Sequence, residues 1–263
     1  MGILNTLFGN GISAELQETI SQKLKACTDP TSKQDLESLK ALSALQFKKG
    51  VLKLTVSLPY PCKSLWPNIE QNIKHELSQI DEIKTIEIEF ETKIVSHDAQ
   101  KGVSPLPNIK NIIAIASGKG GVGKSTTSVN IALALQQEGA NVGLLDADIY
   151  GPSIPTMLNI KEKPLSEDGK SMQPLPAYGL QVMSIGALIE EDSPMIWRGP
   201  IVTQTLTQLL KETNWSDLDY LVIDLPPGTG DVQLTLSQQI PVTGAVIVTT
   251  PQQVSLIDAK KGL

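Results

Sequence analysis

Residues Gly118-Lys119-Gly120-Gly121-Val122-Gly123-Lys124-Ser125 fit the spacing G-x-x-x-x-G-K-[ST]. Such a loop works because glycines let backbone amides turn toward phosphate oxygens. A lysine offsets the phosphate charge, and the next hydroxyl can ligate Mg²⁺, a hard cation that prefers oxygen. The apolar run IIAIA at 112–116 precedes the loop and a helical stretch follows it. That helix adds the partial positive charge of its N-terminus. Gly118, Lys119, Gly120, Gly121, Val122, Gly123, Lys124, Ser125 and Thr126 are therefore the candidate nucleotide contacts, with Lys124 expected on the β and γ phosphates and Ser125 on Mg²⁺. Lys119 is a second lysine that the motif does not require.

Carboxylates close two further apolar runs. DADIYGPS follows VGLL at 142–145, and on an extended strand end Asp146 and Asp148 can share a face, one near the metal shell and one near an attacking water. DLPPGTGD follows YLVI at 220–223, so Asp224 reads as a Walker-B carboxylate holding Mg²⁺ through water. Gly228 and Gly230 leave the next loop free to respond to the γ phosphate. Arg198 is the only arginine; in Trp197-Arg198-Gly199-Pro200 it offers a planar fork for a partner carboxylate or phosphate, or is simply a surface turn residue. The Asn-Lys-x-Asp signature that reads guanine is absent, which favours ATP.

These candidates sit on apolar runs at 112–116, 142–145, 220–223 and 245–249 with helical stretches between them. Nearly continuous apolar strands alternating with helices imply a parallel sheet covered on both faces, with ligands at the carboxyl ends of its strands. The expected architecture is α/β, a P-loop NTPase with a mainly parallel sheet covered by helices, over residues 111–263. Residues 96–110 read as a linker, carrying Gly102, Pro105 and Pro107 with little apolar periodicity. Residues 1–95 read as a small α+β domain. Helices are expected from Ala14 to Leu24, around Leu36 to Leu45, and from a Ser64 cap to Leu77, with Pro67 tolerated in the first turn. Strands are expected in VLKLTVSL and in TIEIEFE, where Ile86, Ile88 and Phe90 face one way and Glu87, Glu89 and Glu91 the other.

Composition excludes several classes. With 28 acidic and 22 basic residues the net charge is -6, which argues against a nucleic-acid partner. No apolar run approaches the roughly 20 residues of a membrane helix, and no secretory signal opens the chain, so a cytoplasmic protein without a membrane partner is expected. Cys27 and Cys62 are too few and too far apart for a disulfide framework or a Cys-x-x-Cys metal site. Both read as packed thiols, Cys62 less firmly because it precedes a helix N-terminus. His75 and His97 read as solvated.

GKGGVGKST taken with DADIYGPS, WRGP, DLPPGTGD and TPQQVSLIDAKKG resembles the Mrp/ApbC family of iron–sulfur cluster carrier ATPases, within the MinD/ParA-like deviant P-loop class. The likeness covers about residues 110 to 263. Residues 14 to 95, with Asp29-Pro30 and Pro61-Cys62, resemble the iron–sulfur-assembly domain fused in front of bacterial members. The resemblance implies a homodimer in which Lys119 reaches across to the partner's phosphates, as an arginine finger does. It also implies that Lys119, Lys124 and Asp148 carry hydrolysis, with Asp148 positioning the water, while Ser125, Asp146 and Asp224 support Mg²⁺. The implied cofactors are ATP and Mg²⁺, and the implied partners are apo iron–sulfur proteins and cluster-assembly factors. Family members extend beyond the position of Leu263 and carry a Cys-x-x-Cys pair for a [4Fe-4S] cluster. The chain therefore reads as truncated, with the cluster belonging to the complete protein and no cluster ligand here. A MinD/ParA-type positioning ATPase and an inactive nucleotide-binding remnant remain alternatives.

Overall fold

The computed structural model describes residues 13–99, 103–149, 151–166, 168–188, 199–228 and 239–261. The chain divides into two compact units, Met1–Val95 and Ser96–Leu263.

In the smaller unit, α1 (Ala14–Ala26) begins at Ser13, whose hydroxyl accepts the Leu16 N–H at 3.3 Å. Its Leu16, Ile20 and Leu24 fall on one face and are buried. Helix α2 (Trp66–Leu77) buries Ile69, Ile73 and Leu77 by the same spacing. Both contribute to the core with one face of a three-stranded sheet, β1 (Leu42–Lys48), β2 (Val51–Leu58) and β3 (Thr85–Thr92). Strand β2 is central, antiparallel to β1 and parallel to β3. Along β3 the isoleucines and Phe90 are half-buried and the glutamates are largely exposed, as the alternation predicts.

Two expectations fail here. The apolar spacing from Leu36 to Leu45 predicts a helix, whereas residues 36–40 form turns and Leu42 starts β1. A shift of register between Leu42 and Ala44 puts Leu42 and Leu45 both inward, so a bulged strand imitates helical periodicity. Ser64 does not cap α2. It lies in a 3₁₀ turn, Lys63–Leu65, that runs into the helix, leaving Leu65 at the cap without a side-chain hydrogen bond. Pro67 does occupy the first turn.

The larger unit is built on a six-stranded sheet. In chain order its strands are β4 (Ile109–Ala116), β5 (Val142–Asp146), β6 (Leu175–Ala177), β7 (Leu180–Ser184), β8 (Leu218–Asp224) and β9 (Gly244–Ile247). Their spatial order is β6-β7-β5-β8-β4-β9, parallel except for the β6–β7 pair. Strand β5 is buried at every residue, which a parallel sheet requires of its interior strands. Helix α3 (Lys124–Gln137) packs against β4, β5 and β8. A short α4 (Ile154–Met157) follows β5. Helix α5 (Gly199–Glu212) adds Val202, Leu206, Leu209 and Leu210 to a core with Ile112, Leu145, Leu221 and Ile223. Helix α6 (Gln253–Lys261) follows β9. Strands β6 and β7 are not anticipated by the apolar runs. Among the described residues no helix is long and apolar enough to cross a membrane.

Candidate functional site

Three strand ends meet in register. Asp146, the last residue of β5, lies opposite Ser184 of β7 on one side and Asp224 of β8 on the other. Asp224 in turn pairs with Ile115 of β4, so the loop after β4 leaves the sheet beside it. The connections continue past the strands: Ala147 N–H donates to the Asp224 carbonyl at 2.9 Å and Gly228 N–H to that of Ser117 at 2.8 Å.

The loop after β4 turns through Gly121 and Gly123, at φ 76° and 91°, a region that favours glycine, and Gly123 caps α3. A β-carbon on Gly120, Gly121 or Gly123 would meet nothing within 4 Å, so this backbone faces open space. That space is a cleft of about 340 Å³, bordered by the loop and by Lys119, Lys124, Ser125, Asp148, Ser153 and Met157. Thr126 also lines it, whereas Gly118 and Val122 do not. Gly118 instead lies against α6, where an added β-carbon would sit 3.0 Å from Asp258 Cβ. A larger hollow of about 840 Å³, walled by residues such as Asn108, Lys211 and Trp215, lies where β4 and β8 begin; it contains none of the site residues expected from the sequence.

Below the cleft Asp224 is fully buried, and its charge is met by three donors. Lys124 Nζ and Ser128 Oγ donate to Oδ1 at 2.8 and 2.7 Å, and Ser125 Oγ donates to Oδ2 at 2.6 Å. Lys124 is 6% exposed, and its ammonium also lies 3.3 Å from Asp148 Oδ2. Buried charges persist only when paired and hydrogen-bonded, so these contacts fix one another. Asp146 faces differently: Oδ1 accepts the Asp148 N–H at 3.2 Å, and Oδ2 accepts the Ile154 N–H at 3.2 Å and the Ser184 hydroxyl at 3.1 Å. Burial first, then the charge of Asp224, pushes its carboxyl up to about 7, while the three donors pull the other way.

Lys119 is set apart. Its ammonium, 40% exposed, lies 3.3 Å from Asp258 Oδ2 of α6, an exposed pair of the kind that contributes at most about 1 kcal/mol. The structure therefore brings Lys124, Ser125, Asp148 and Asp224 together, puts Asp146 behind them, and holds Lys119 at the cleft edge. Arg198 and Gly230 lie outside the described residues. Ser128 and Ser184 join the network without having been singled out in the sequence. Ser128 was within reach, since it lies one helical turn beyond Lys124 and shares its face. Ser184 depends on β7, which no clear motif announces.

Residues 108–263 match the family described as NUBPL iron-transfer P-loop NTPase, and residues 17–90 match the iron-sulfur cluster assembly protein family. The chain is 49% identical over 94% of its length to 68% of the iron-sulfur cluster carrier protein of Escherichia coli strain K12. It is 47% identical over 98% of its length to 70% of the protein of the same name from Haemophilus influenzae. Among solved structures, a nucleotide-binding protein from Archaeoglobus fulgidus in complex with ADP is similar at a TM-score of 0.51 and 40% identity, over 59% of this chain and 60% of that one.

The buried Asp146 predicts a pH dependence. Its carboxyl is raised from 3.8 to about 7, so the folded unit holds this proton more tightly than the unfolded chain does. Its stabilisation is complete below about pH 4 and is lost as pH rises through about 7. Without nucleotide or divalent cation, Asp146→Asn should narrow the loss in urea midpoint between pH 5 and pH 8. An unchanged difference would mean that Asp146 does not titrate in this range.

Proposed function

The chain belongs to the family of NUBPL iron-transfer P-loop NTPases, and from that premise we propose that it is an ATP-dependent iron–sulfur cluster carrier. It binds and slowly hydrolyses ATP at the cleft after β4 and helps pass [4Fe-4S] clusters, as cargo, to apoproteins. The observation that carries this reading is the convergence of Lys124, Ser125, Asp148 and Asp224 beneath an open glycine backbone. The names of the relatives support the cargo. They also favour a carrier over a positioning ATPase.

The residues fit a magnesium nucleotide. Open backbone at Gly120, Gly121 and Gly123 leaves room for phosphate oxygens beside the N-terminus of α3, and the nearby hydroxyl and carboxylates are hard oxygen donors. Ser125 and Asp224 would hold Mg²⁺, with Asp146 adding charge behind Asp224. When bound, the ion would offset the negative charge that develops on the phosphates during transfer. In this reading the amides of the loop residues that line the cleft, Lys119 to Gly121 and Gly123 to Thr126, bind the phosphates. Lys124 exchanges its carboxylates for the β and γ oxygens. Asp148 orients the attacking water, and Lys119 leaves Asp258 to reach phosphates held by the second chain of a homodimer. Arg198 is assigned a partner or phosphate contact. The cargo is not assigned to Cys27 or Cys62. Both are buried in the smaller unit, and burial pushes the Cys27 thiol up to about 11, which disfavours a thiolate ligand.

Two tests follow from the division of labour. Lys124→Ala should weaken ATP binding itself, whereas Asp148→Ala should slow hydrolysis on the order of 10²-fold or more with affinity nearly intact. Binding titrations and single-turnover rates separate the two, and equal losses of affinity would count against these roles. Lys119→Ala should bind ATP yet lose on the order of 10³-fold in hydrolysis. Mixing it with Asp148→Ala chains should restore about a quarter of the activity, because half the dimers are mixed and half their sites are complete. Once subunit exchange is verified with a labelled chain, a mixture as inactive as its components would exclude action across the dimer.

A further inference from the structure

Ser184 lies outside the cleft lining and outside the phosphate loop, yet it sits at the centre of a chain of contacts that ends at Asp148. Its hydroxyl donates to Asp146 Oδ2 at 3.1 Å and accepts the Gly186 N–H at 3.1 Å. Asp146 then accepts the backbone N–H groups of Asp148 and Ile154, the two ends of the segment that joins β5 to α4. Three donors thus converge on one buried carboxylate, two from the segment and one from β7. A second contact runs parallel to the first. Gly186 packs so closely on the same segment that a β-carbon there would lie 2.8 Å from Pro152 Cγ and 2.9 Å from its Cβ. The segment is therefore fastened to the end of β7 both by hydrogen bonds through Asp146 and by direct packing.

We infer that Ser184 and Gly186 are positioning residues, which hold Asp148, Pro152 and Ile154 against the end of β7 so that the Asp148 carboxylate stays beside Lys124. The physical argument is one of satisfaction. The Asp146 carboxyl is fully buried, so its oxygens need hydrogen-bond partners from the protein, and the two amides of the segment and the Ser184 hydroxyl supply them. Ser184 supplies the one side-chain donor in this set, and the backbone of Gly186 orients that hydroxyl by occupying one of its lone pairs. Asp148 carries the catalytic assignment, and a small displacement of its loop moves the carboxylate away from Lys124, 3.3 Å distant. This inference rests on the hydrolytic reading of Asp148 for its consequence, though not for its geometry.

The experiment measures amide hydrogen exchange in residues 147–154 of the full chain, together with ATP hydrolysis and ATP affinity. In Ser184→Ala, exchange at Asp148 and Ile154 should accelerate about fivefold to tenfold, the loss expected of one hydrogen bond, with the amides of β8 unchanged. The hydrolytic rate should fall by a similar factor while affinity stays within about twofold, because phosphate contacts are untouched. Ser184→Thr keeps the hydroxyl and should restore both. Gly186→Ala, which leaves Ser184 in place but forces a β-carbon toward Pro152, should loosen the same segment, and it decides the matter if Ser184→Ala does not fold. Exchange at Asp148 and Ile154 that is unchanged in these variants, or that rises equally throughout the unit, would overturn the inference. If the unaltered chain shows no hydrolysis while exchange responds as described, the hydrolytic reading fails and the fastening stands.

Discussion

A buried ammonium held between two carboxylates sets the terms for the larger unit. Lys124 is nearly inaccessible and Asp224 entirely so, and they are separated by 100 residues in sequence yet lie 2.8 Å apart. Neither charge is tolerable alone at that depth; removing one partner of such a pair typically costs about 3–5 kcal/mol. The sheet order satisfies the requirement. Placing β8 between β5 and β4 puts the Asp224 carboxylate against the first two turns of α3, where Lys124, Ser125 and Ser128 all donate to it. The same order buries Asp146 beside Asp224, and burial first, then the neighbouring charge, raises the Asp146 carboxyl. Pairing, topology and the perturbed titration share one cause.

Groups bound by local chain geometry were legible in the sequence, and groups joined by the sheet were not. The glycine-rich loop and its Lys-Ser pair are contiguous, so spacing alone announces them, and an apolar run ending in Asp announces Asp224. Asp146 and Asp148 were legible as a pair, and the family resemblance gave Asp148 the water and Asp146 the metal. Only the folded segment shows Asp148 turned toward Lys124 and Asp146 turned back to bind the segment's own amides. Ser184 illustrates the limit. Its partner is set by the pairing of β7 with β5, and β7 is a five-residue strand whose neighbour β6 runs against the parallel pattern. In the smaller unit the clean alternation of β3 was readable, whereas a bulge in β1 gave a strand the spacing of a helix.

The strength of each contact indicates which parts can exchange partners. Asp224 is buried and three times bonded, a fixed point. The Lys119–Asp258 pair is exposed, and an exposed pair is cheap to exchange. A lysine held that loosely at the edge of the cleft suits a group that must find a new partner during a cycle of nucleotide binding. The arrangement separates a buried, multiply bonded centre from a loosely held charge at the rim of the cleft. On the proposed function, nucleotide binding would depend on the buried pair, and cluster carriage on the nucleotide.

Calorimetric titration of the unaltered chain with ATP and with AMP, each in the presence of Mg²⁺, tests that dependence most directly. A site built from a buried lysine, a glycine backbone and oxygen donors reads the distal phosphates. The account predicts one ATP per chain, bound at least about tenfold more tightly than AMP, since even one charge-assisted hydrogen bond to a phosphate is worth about that much. No heat of binding with ATP, or equal affinity for ATP and AMP, would contradict it.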